Sequence, residues 1–328
     1  MSYLRSSQLM TDAERLGRHF RLRPLEAFTM DMTRALRVAA AVSLLTTLLA
    51  GVGCVIIGDA RYVEREERRF STTGKPEVAL STFDGAIEVR AWDRPEVLVV
   101  VEKRAVNKEA AASIDVHTEQ AGNRLVVDVR TPKDVGFGFH GNNSRSAKLI
   151  VTVPTSADVA AKSGDGSIDV ERVAGKLELR SADGSIHGRE LTGDVRAHTG
   201  DGSIHLEAVT GKLDLDTGDG SIFAAGRFSA VRARSGDGSV RIHADAGSAA
   251  SEDWDVTTGD GSVTLEVPEG FSGELDVHTG DGRINVDGLT ISGLSDRIGA
   301  EDLRGRLGNG GSAVRLRSGD GSIVLRRS

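Results

Sequence analysis

Cysteine, proline and aromatic residues are scarce in this sequence of 328 residues. The single cysteine, Cys54, excludes a disulfide within the chain. Proline contributes 6 residues and the aromatic types 4% of the chain, and the formal net charge is −7. An acidic chain with so few rings to stack on bases lacks the features of a nucleic-acid-binding protein. We therefore expect no nucleic-acid partner.

Glycine, by contrast, accounts for 40 residues. This composition does not indicate a disordered linker, because Val, Ile and Leu recur along the chain at regular spacing. An ordered fold with many tight turns accounts for both properties.

A long uncharged run lies near the N-terminus. Segment 32–54, MTRALRVAAAVSLLTTLLAGVGC, has two arginines, then apolar residues, then small residues before Cys54. This order is typical of a secretory signal. It also resembles a bacterial lipobox, in which Cys54 would carry a lipid anchor, although Gly51 stands where Leu is usual. The alternative is an uncleaved helix, because the uncharged residues 38–58 can cross roughly 30 Å of hydrocarbon.

The part of the chain before Lys75 divides into three segments by composition. Residues 1–31 are a charged extension, which an upstream start codon would explain, and we assign them no function. Residues 32–53 are the predicted signal peptide or membrane-anchor helix. Residues 54–74 are the predicted lipidated spacer, which includes the charged stretch ARYVEREERR at 60–69. Both alternatives for the anchor place the rest of the chain outside the cytoplasmic membrane.

One short turn recurs eight times in the second half of the chain. SGDGSIDV at 163–170 returns as SADGSIHG, TGDGSIHL, TGDGSIFA, SGDGSVRI, TGDGSVTL, TGDGRINV and SGDGSIVL. The first five copies follow one another at a constant interval, and Asp84 marks a degenerate earlier copy. A fixed period of this length predicts a solenoid or an array of hairpins. The Asp residues of the eight copies are Asp165, Asp183, Asp201, Asp219, Asp237, Asp260, Asp281 and Asp320.

Apolar residues alternate within each repeat, which predicts two short strands per unit. In the first unit the inward positions are Ile168, Val170, Val173, Leu177 and Leu179. Asp-Gly between alternating runs is also a hairpin signal, so an antiparallel meander is the alternative. We favour a solenoid, because SGDGS is long enough to cross between two sheets about 10 Å apart.

A column of small hydroxyl residues also favours stacked coils. In each repeat, the inward-facing position that follows the last apolar residue is a Ser or Thr. Stacked coils would bring these residues into one column, which has no particular use in a meander. We predict an all-β fold with an N-terminal β part at 75–160 and a two-sheet solenoid of 18-residue coils at 161–328. The hydroxyl residues are Ser181, Thr199, Thr217, Ser235, Thr258, Thr279 and Ser318.

The recurring turn itself has a structural explanation. We expect its glycines to adopt positive φ, and its Asp and second Ser to hydrogen-bond amides of their own turn. The turn then recurs because every coil has the same corner, and it carries no reaction.

Three stretches resemble a known family. EVRAWDRPEVLVVVEKRA (88–105), LIVTVPTSADVAAKSGDGSIDV (149–170) and GNGGSAVRLRSGDGSIVL (308–325) are similar to a large family of bacterial envelope proteins, a domain of unknown function labelled "putative adhesin". The resemblance runs from about residue 75 to the C-terminus. It implies a β-strand repeat fold and an extracytoplasmic location, and it supplies no catalytic motif. DVGFGFHGNNS at 134–144 departs from it and is predicted to be an inserted loop.

Two columns of the repeat are candidates for metal sites. The Asp of each turn is flanked by glycines without a second acid at fixed spacing, so we expect turn residues exposed to water and no calcium site. His187 and His205 share one repeat position with Asp169, Phe223 and Arg241. Because the pattern specifies no third ligand, we expect no zinc or copper site there.

Charged and aromatic positions are candidates for other kinds of site. The outward charges alternate in sign, which indicates cross-strand pairing on a solvated sheet and no catalytic acids. Trp92 is predicted to anchor the N-terminal part. Trp254 lies in the five-residue excess between two repeats, which indicates a lateral protrusion or the cover of a solenoid end. The outward charged residues are Glu178, Arg180, Arg196, Asp214, Asp216 and Arg234.

These observations lead to one expectation and two alternatives. We expect a non-catalytic, lipid-anchored envelope protein that acts as an adhesin or scaffold and presents its sheets to a polysaccharide, peptidoglycan or protein. The first alternative is an envelope-stress or signalling accessory that binds a membrane partner. The second is a polysaccharide-active enzyme. No cofactor or metal is expected.

Overall fold

Strands make up nearly all of the regular structure in this computed structural model, which describes residues 62–131, 145–294 and 301–328. The predicted signal segment, Cys54 and the insert at 134–144 lie outside the described residues. The predictions about them therefore remain predictions.

The part of the chain before the repeats contains strands and one short helix. Asn107 begins the helix, and its side chain accepts a hydrogen bond from the Ala110 amide. The elements are β1 (Tyr62–Ser71), β2 (Glu77–Thr82), β3 (Ile87–Trp92), β4 (Glu96–Ala105), α1 (Lys108–Ala112), β5 (Asp115–Ala121), β6 (Arg124–Arg130) and β7 (Ser146–Pro154).

The repeats form strands that the glycine-rich turns separate. The earlier ones are β8 (Asp158–Ser163), β9 (Ile168–Glu171), β10 (Leu177–Ser181), β11 (Ile186–Arg189), β12 (Thr192–Thr199), β13 (Ile204–Thr217), β14 (Ile222–Ser235) and β15 (Val240–Ala244). The later ones are β16 (Trp254–Thr258), β17 (Val263–Val267), β18 (Gly273–Thr279), β19 (Ile284–Asp287), β20 (Ile291–Ser292), β21 (Asp302–Leu307), β22 (Ala313–Ser318) and β23 (Ile323–Arg327).

Strand pairing defines two ladders. The first sheet contains the strands that lead into the Asp-Gly corners, in the order β5-β6-β2-β8-β10-β12-β13-β14-β16-β22-β18-β21-β20. The second sheet contains the strands that leave them, in the order β1-β4-β7-β3-β9-β11-β13-β14-β15-β17-β23-β19. The long strands β13 and β14 contribute one half to each sheet.

Successive repeats stack in parallel, with each residue beside its equivalent in the neighbouring repeat. Leu177 of β10 lies beside Val159 of β8 on one side and Val195 of β12 on the other. Each Asp-Gly corner connects a strand of one sheet to a strand of the other, so the hairpin alternative is excluded. The predicted solenoid is confirmed.

The core lies between the two sheets and consists of the alternating apolar residues. Ile168, Val170, Val173, Leu177 and Leu179 are all at most 2% exposed, so the predicted inward phase is confirmed. Burial of a side chain of this type contributes roughly 1.5–3 kcal/mol. Every coil adds such residues, and each coil therefore supports its neighbours.

One hydroxyl in each coil holds the Asp-Gly corner. Ser181 Oγ donates to the carbonyl of Gly166 in the preceding coil (3.0 Å) and accepts from the amide of Gly184 (3.0 Å). The predicted hydroxyl column is thereby confirmed, and its members are buried. The donated bond recurs at 2.7 to 2.9 Å from Thr199, Thr217, Ser235, Thr258, Thr279 and Ser318.

The corner glycines are required for a different reason from the one expected. None of the glycines in the eight repeat corners has φ in the left-handed range, so the prediction of positive φ was wrong. A Cβ atom on Gly220 would instead lie well inside 3.0 Å of the Gly202 carbonyl in the adjacent coil. The same overlap recurs along the column. Glycine is needed because two backbones approach closely there.

Left-handed backbone occurs at the opposite end of four successive coils. Arg172, Glu190 and Ala208, which occupy equivalent positions in successive repeats, have φ of 60°, 54° and 52°. Gly226, with φ of 153°, occupies the next equivalent position. Conformations of this kind cost roughly 1–2 kcal/mol for a residue other than glycine. The stacked coils therefore hold strained backbone at this corner.

The Asp and the second Ser of the corner do not bond their own turn, contrary to expectation. Within the described repeats, the eight Asp side chains are exposed and their carboxylates form no hydrogen bond or ion pair. Ser203 Oγ accepts instead from the amide of Ser221 in the next coil (3.3 Å). Ser185 and Ser239 make the same contact with the coils that follow them.

The last coil is stacked out of sequence order. β22 lies between β16 and β18 in the first sheet, and β23 lies between β17 and β19 in the second. Between β19 and β22 the chain forms β20 and β21. Strand β21 pairs antiparallel with the edge of β18 that faces away from β22. The long interval between Asp281 and Asp320 therefore contains this excursion.

The charged stretch expected to be a spacer forms part of the fold. From Tyr62 onward it is strand β1, which pairs antiparallel with β4 over its whole length. Glu66 Oε1 of β1 forms an ion pair with the buried Lys103 Nζ of β4 (2.6 Å). Alternating charges on such an outer strand disfavour pairing with other chains.

The two tryptophans differ in environment. Trp254 is completely buried in β16, and its ring packs edge-on against Phe228 and Phe271 at centroid distances of 6.4 and 5.1 Å. The expectation of a lateral protrusion at this residue was therefore wrong. Trp92 is partly exposed, and its Nε1 donates to the carbonyl of Glu96 (2.8 Å), which links β3 to β4 in the N-terminal part.

Substituting a corner glycine tests the close approach of the backbones. We expect Gly220→Ala to destabilise the protein by about 3 kcal/mol, at the upper end of overpacking costs, because only backbone atoms could move to make room. Gly270→Ala is the control: Gly270 has φ of 81° and nothing within 4 Å, so roughly 1 kcal/mol is expected. Urea unfolding measures both. Equal losses of stability in the two variants would contradict the close approach of the backbones at Gly220.

Candidate functional site

A shallow trough crosses four strands on the outward face of the second sheet. It runs over β3, β9, β11 and β13 and has a volume of about 390 Å³. Its floor includes the backbone of Gly188, and two rows of outward side chains form its walls. The ring row consists of Glu88, Asp169, His187 and His205, and it continues beyond the trough to Phe223 of β14. The charged row consists of Arg90, Glu171, Arg189 and Glu207.

The ring row contains aromatic side chains in contact. The rings of His205 and Phe223 stack at a centroid distance of 4.7 Å and an interplanar angle of 22°. The ring of His187 is tilted, with its centroid 6.4 Å from that of His205. His187 Nδ1 lies 3.2 Å from Asp169 Oδ1. These side chains, which share one repeat position, therefore lie side by side on neighbouring coils.

The charged row alternates in sign along the solenoid. Arg90 lies 3.9 Å from Glu171, and Arg189 lies 3.5 Å from Glu207. His205 Nε2 bridges the two rows through a 3.0 Å contact with Glu207. The two arginines are about 60% exposed. Loose, solvated ion pairs of this kind contribute little to stability, so their charged groups remain accessible to a ligand.

The local environment changes the acidity of one trough carboxyl. The hydrogen bond with His205 and the nearby Arg189 guanidinium hold the pKa of Glu207 below its ordinary value. Glu207 is therefore a stable anion at neutral pH. A general acid in glycoside cleavage needs the opposite shift.

Gly188 explains the shape of the trough floor. It occupies an inward position of β11 where neighbouring coils have Val170 and Leu206. A Cβ atom there would overlap side-chain atoms of Leu191 and Leu206. The glycine lets these leucines fill the core below the trough.

The residues considered as candidate metal ligands do not form a complete site. Among the described residues no group of three His, Cys, Asp or Glu side chains is arranged to hold a metal ion. His187 and Asp169 are in contact, but His205 pairs with Glu207. The Asp column is a row of exposed carboxylates, and burial together with the charge of Asp165 raises the pKa of Asp84 at its end.

The outward face of the first sheet carries a ladder of paired charges. Arg196 pairs with Asp214 (3.3 Å), Arg234 with Asp255 (3.7 Å), and His198 with Asp216 (2.9 Å), each across neighbouring strands. Arg180 pairs within its own strand with Glu178 (2.6 Å). The expected charge pairing is present. One row alternates in sign through eight strands: Glu178, Arg196, Asp214, Arg232, Asp255, Arg315, Asp276 and Arg304.

Sequence reasoning found only part of the trough. The repeat period places Asp169, His187, His205 and Phe223 in one row. Glu171, Arg189 and Glu207 of the charged row were missed although they share one position of the repeat. Glu88 and Arg90 were missed because β3 lies far from the repeats in sequence. Asp84 could have revealed Glu88 and Arg90. It marks a degenerate corner, and in the strand that follows it inward and outward residues alternate as they do after the other corners.

Comparison with known proteins identifies the family. The family model described as Toastrack DUF4097 matches residues 77–326. The chain therefore belongs to the Toastrack DUF4097 family, a domain of unknown function with a β-helix-like solenoid fold. No curated protein matches the chain.

Three solved structures are similar to this chain at low identity. A putative adhesin from Bacteroides fragilis is 14% identical, with 80% of this chain and 97% of that chain covered and a TM-score of 0.44. A putative lipid binding protein from Parabacteroides distasonis is 15% identical, with 80% and 96% covered and a TM-score of 0.43. A putative cell adhesion protein from Clostridium sporogenes is 12% identical, with 81% and 100% covered and a TM-score of 0.29.

In residues 62–131, 145–294 and 301–328, no helix is long and apolar enough to cross a bilayer.

The acidity of Glu207 tests the geometry of the trough. We expect its carboxyl to titrate below the usual value of about 4.3, and His205→Ala to raise the pKa toward that value because the hydrogen bond is lost. A pH titration followed by NMR of the carboxyl carbon measures the shift. His198→Ala on the first sheet should leave the pKa of Glu207 unchanged. An unaltered titration in His205→Ala would show that the two side chains are not in contact.

Proposed function

We propose that this protein is a non-catalytic binding protein of the bacterial cell envelope, an adhesin or scaffold that holds an extended polysaccharide in the trough of the second sheet. The observation that carries the proposal is the trough itself. It combines ring, carboxylate and guanidinium groups on a rigid, solvent-facing surface. Sugar chains present hydroxyl groups and apolar ring faces, which such a set of side chains can bind together.

The direction of the trough favours a long ligand over a compact one. It runs across the strands, so equivalent groups recur at the strand spacing of about 4.8 Å. A linear chain of similar units meets the same kind of contact at successive coils. Each contact is weak on its own, and several of them together give useful affinity.

The charge state of the trough supports binding rather than cleavage. Polysaccharide hydrolysis needs a carboxylic acid whose pKa is raised so that it can donate a proton. The pKa of Glu207 is lowered, and Glu171 and Glu88 lie beside the cations Arg90 and Lys148. Carboxylates in such a trough can accept hydrogen bonds from sugar hydroxyls.

The proposal includes a lipid anchor at Cys54. β1 begins at Tyr62, so the seven residues 55–61 separate the anchor from the solenoid. A chain of that length spans at most about 25 Å. The anchored domain would therefore remain close to the membrane surface, where it can bind envelope polysaccharide.

Binding to isolated polysaccharides tests the function. The purified full chain in detergent is incubated with peptidoglycan sacculi and with alginate, dextran and chitosan, which are acidic, neutral and basic probes. We expect saturable binding to at least one of them. The double variant His187→Ala, His205→Ala should weaken it at least tenfold, since it removes two ring contacts and the bridge to Glu207.

His198→Ala is the matched control, because His198 is also an outward histidine paired with a carboxylate but lies on the first sheet. It should bind like the unaltered chain. Absence of binding to all four probes would refute the polysaccharide proposal. Equal weakening in both variants would remove the trough as the binding surface.

The anchor is tested by mass spectrometry of the N-terminal peptide from the native membrane fraction. We expect a peptide that begins at Cys54 and carries a diacylglyceryl thioether. The same measurement on Cys54→Ser should show no thioether. An intact chain with unmodified Cys54 would contradict the lipid anchor and favour an uncleaved helix.

A further inference from the structure

The last coil occupies a slot between two earlier coils. The slot is formed by β16 and β17 on one side and by β18 and β19 on the other. Ser318 Oγ donates to the Gly261 carbonyl (2.8 Å), and the Gly321 carbonyl accepts from Thr279 Oγ1 (2.7 Å). These are the same corner bonds that join all other coils. The corner chemistry alone therefore does not determine which coil enters the slot.

Charges make the slot specific for the last coil in the first sheet. Arg315 of β22 lies in register between Asp255 of β16 and Asp276 of β18. Its Nη1 also lies 2.9 Å from Asp253, and the neighbouring Arg317 lies 2.5 Å from Asp276. If β18 stacked directly on β16, Asp276 would face Asp255, and like charges opposite one another are unfavourable.

The second sheet repeats this arrangement. Arg326 of β23 lies in register between Glu266 of β17 and Asp287 of β19, and it forms an ion pair with Glu266. Direct stacking of β19 on β17 would again place two acids side by side. Each sheet therefore offers a pair of acids that accepts an arginine from the last coil.

A glycine-rich loop connects the last coil to the rest of the chain. β21 ends at Leu307 and β22 begins at Ala313, on opposite sides of β18. Gly308, Gly310 and Gly311 of this loop have φ of 54°, 78° and 130°. A loop of five residues with three such glycines can change direction at low conformational cost.

We propose that β22 and β23 form an exchangeable element, and that the slot can be filled by the last coil of a second copy of this chain. All contacts of the slot are preserved in the exchanged pair, because only the path of the loop changes. Exchange is reciprocal, so two copies form a closed dimer. The inference is independent of the proposed polysaccharide binding.

The protein concentration determines whether the last coil fills the slot of its own chain or that of a second copy. The tethered coil has a high effective concentration at its own slot, so the monomer prevails in dilute solution. At high concentration exchange becomes populated by mass action. A shorter hinge that strains the intramolecular path favours exchange further.

Mixed single-cysteine chains test the exchange. Thr264 of β17 and Val324 of β23 are register partners without ion pairs, so Thr264→Cys and Val324→Cys place two thiols side by side. Each is made in a full chain carrying Cys54→Ser. The two chains are refolded together at high concentration and oxidised. We expect a disulfide-linked heterodimer whose yield rises with protein concentration.

Two controls accompany this measurement. The same two substitutions in one chain should give an internal disulfide in dilute solution, which verifies the geometry. Thr192→Cys mixed with Thr210→Cys should give no heterodimer, because these register partners belong to inner coils that follow one another in the chain. No heterodimer from the slot pair at any concentration, with the internal disulfide present, would overturn the proposal. Equal yields from both pairs would also overturn it, since they would indicate non-specific crosslinking.

Hinge length provides a second measurement. Deletion of Gly310 and Gly311 should raise the dimer fraction, and insertion of two further glycines there should lower it. Size-exclusion chromatography with light scattering measures the fraction. A dimer fraction independent of hinge length would contradict the exchange.

Discussion

The fold depends on the close contact between backbones at the Asp-Gly corners. Each corner passes directly over the corner of the preceding coil, and a Cβ atom on Gly220 or its equivalents would overlap the neighbouring carbonyl. A buried Ser or Thr then binds the same carbonyl column, as Thr217 Oγ1 does with Gly202 (2.8 Å). Stacking, register and the inward phase of the strands all follow from this contact. The repetition of the turn is therefore structural.

Because every corner is alike, charges determine the order of the coils at the C-terminal end. A like-charged pair at the strand spacing costs about 1 kcal/mol in water and more at a partly buried site. Arg315 and Arg326 avoid two such pairs, one of which involves the buried Glu266. The repeat period predicted coils in chain order and missed this insertion. The signal was present, since Asp255 and Asp276 are both acidic at one repeat position and Arg315 complements them.

The apolar phase and the hydroxyl column were predictable because burial depends on local alternation. The residues of the trough were less predictable. His187 and His205 could be placed in one row by the repeat period, but their depth and partners depend on β3, which joins the stack from outside the repeats. Trp254 shows the same limit: its ring is buried by Phe228 and by Phe271, which lie outside the repeat pattern. The repeat period therefore predicts which residues share a row along the stack. The contacts and burial of those residues depend on how segments distant in sequence pack against them.

The most direct test of the stacked-coil account is a distance along the corner column. Asp165 and Asp260 are exposed and lie five coils apart, so spin labels on Asp165→Cys and Asp260→Cys in a Cys54→Ser chain can be measured by pulsed electron resonance. At about 4.8 Å per coil, stacking predicts a separation of about 24 Å. An antiparallel meander places two strands between successive corners and predicts about 48 Å. The longer distance would contradict the account.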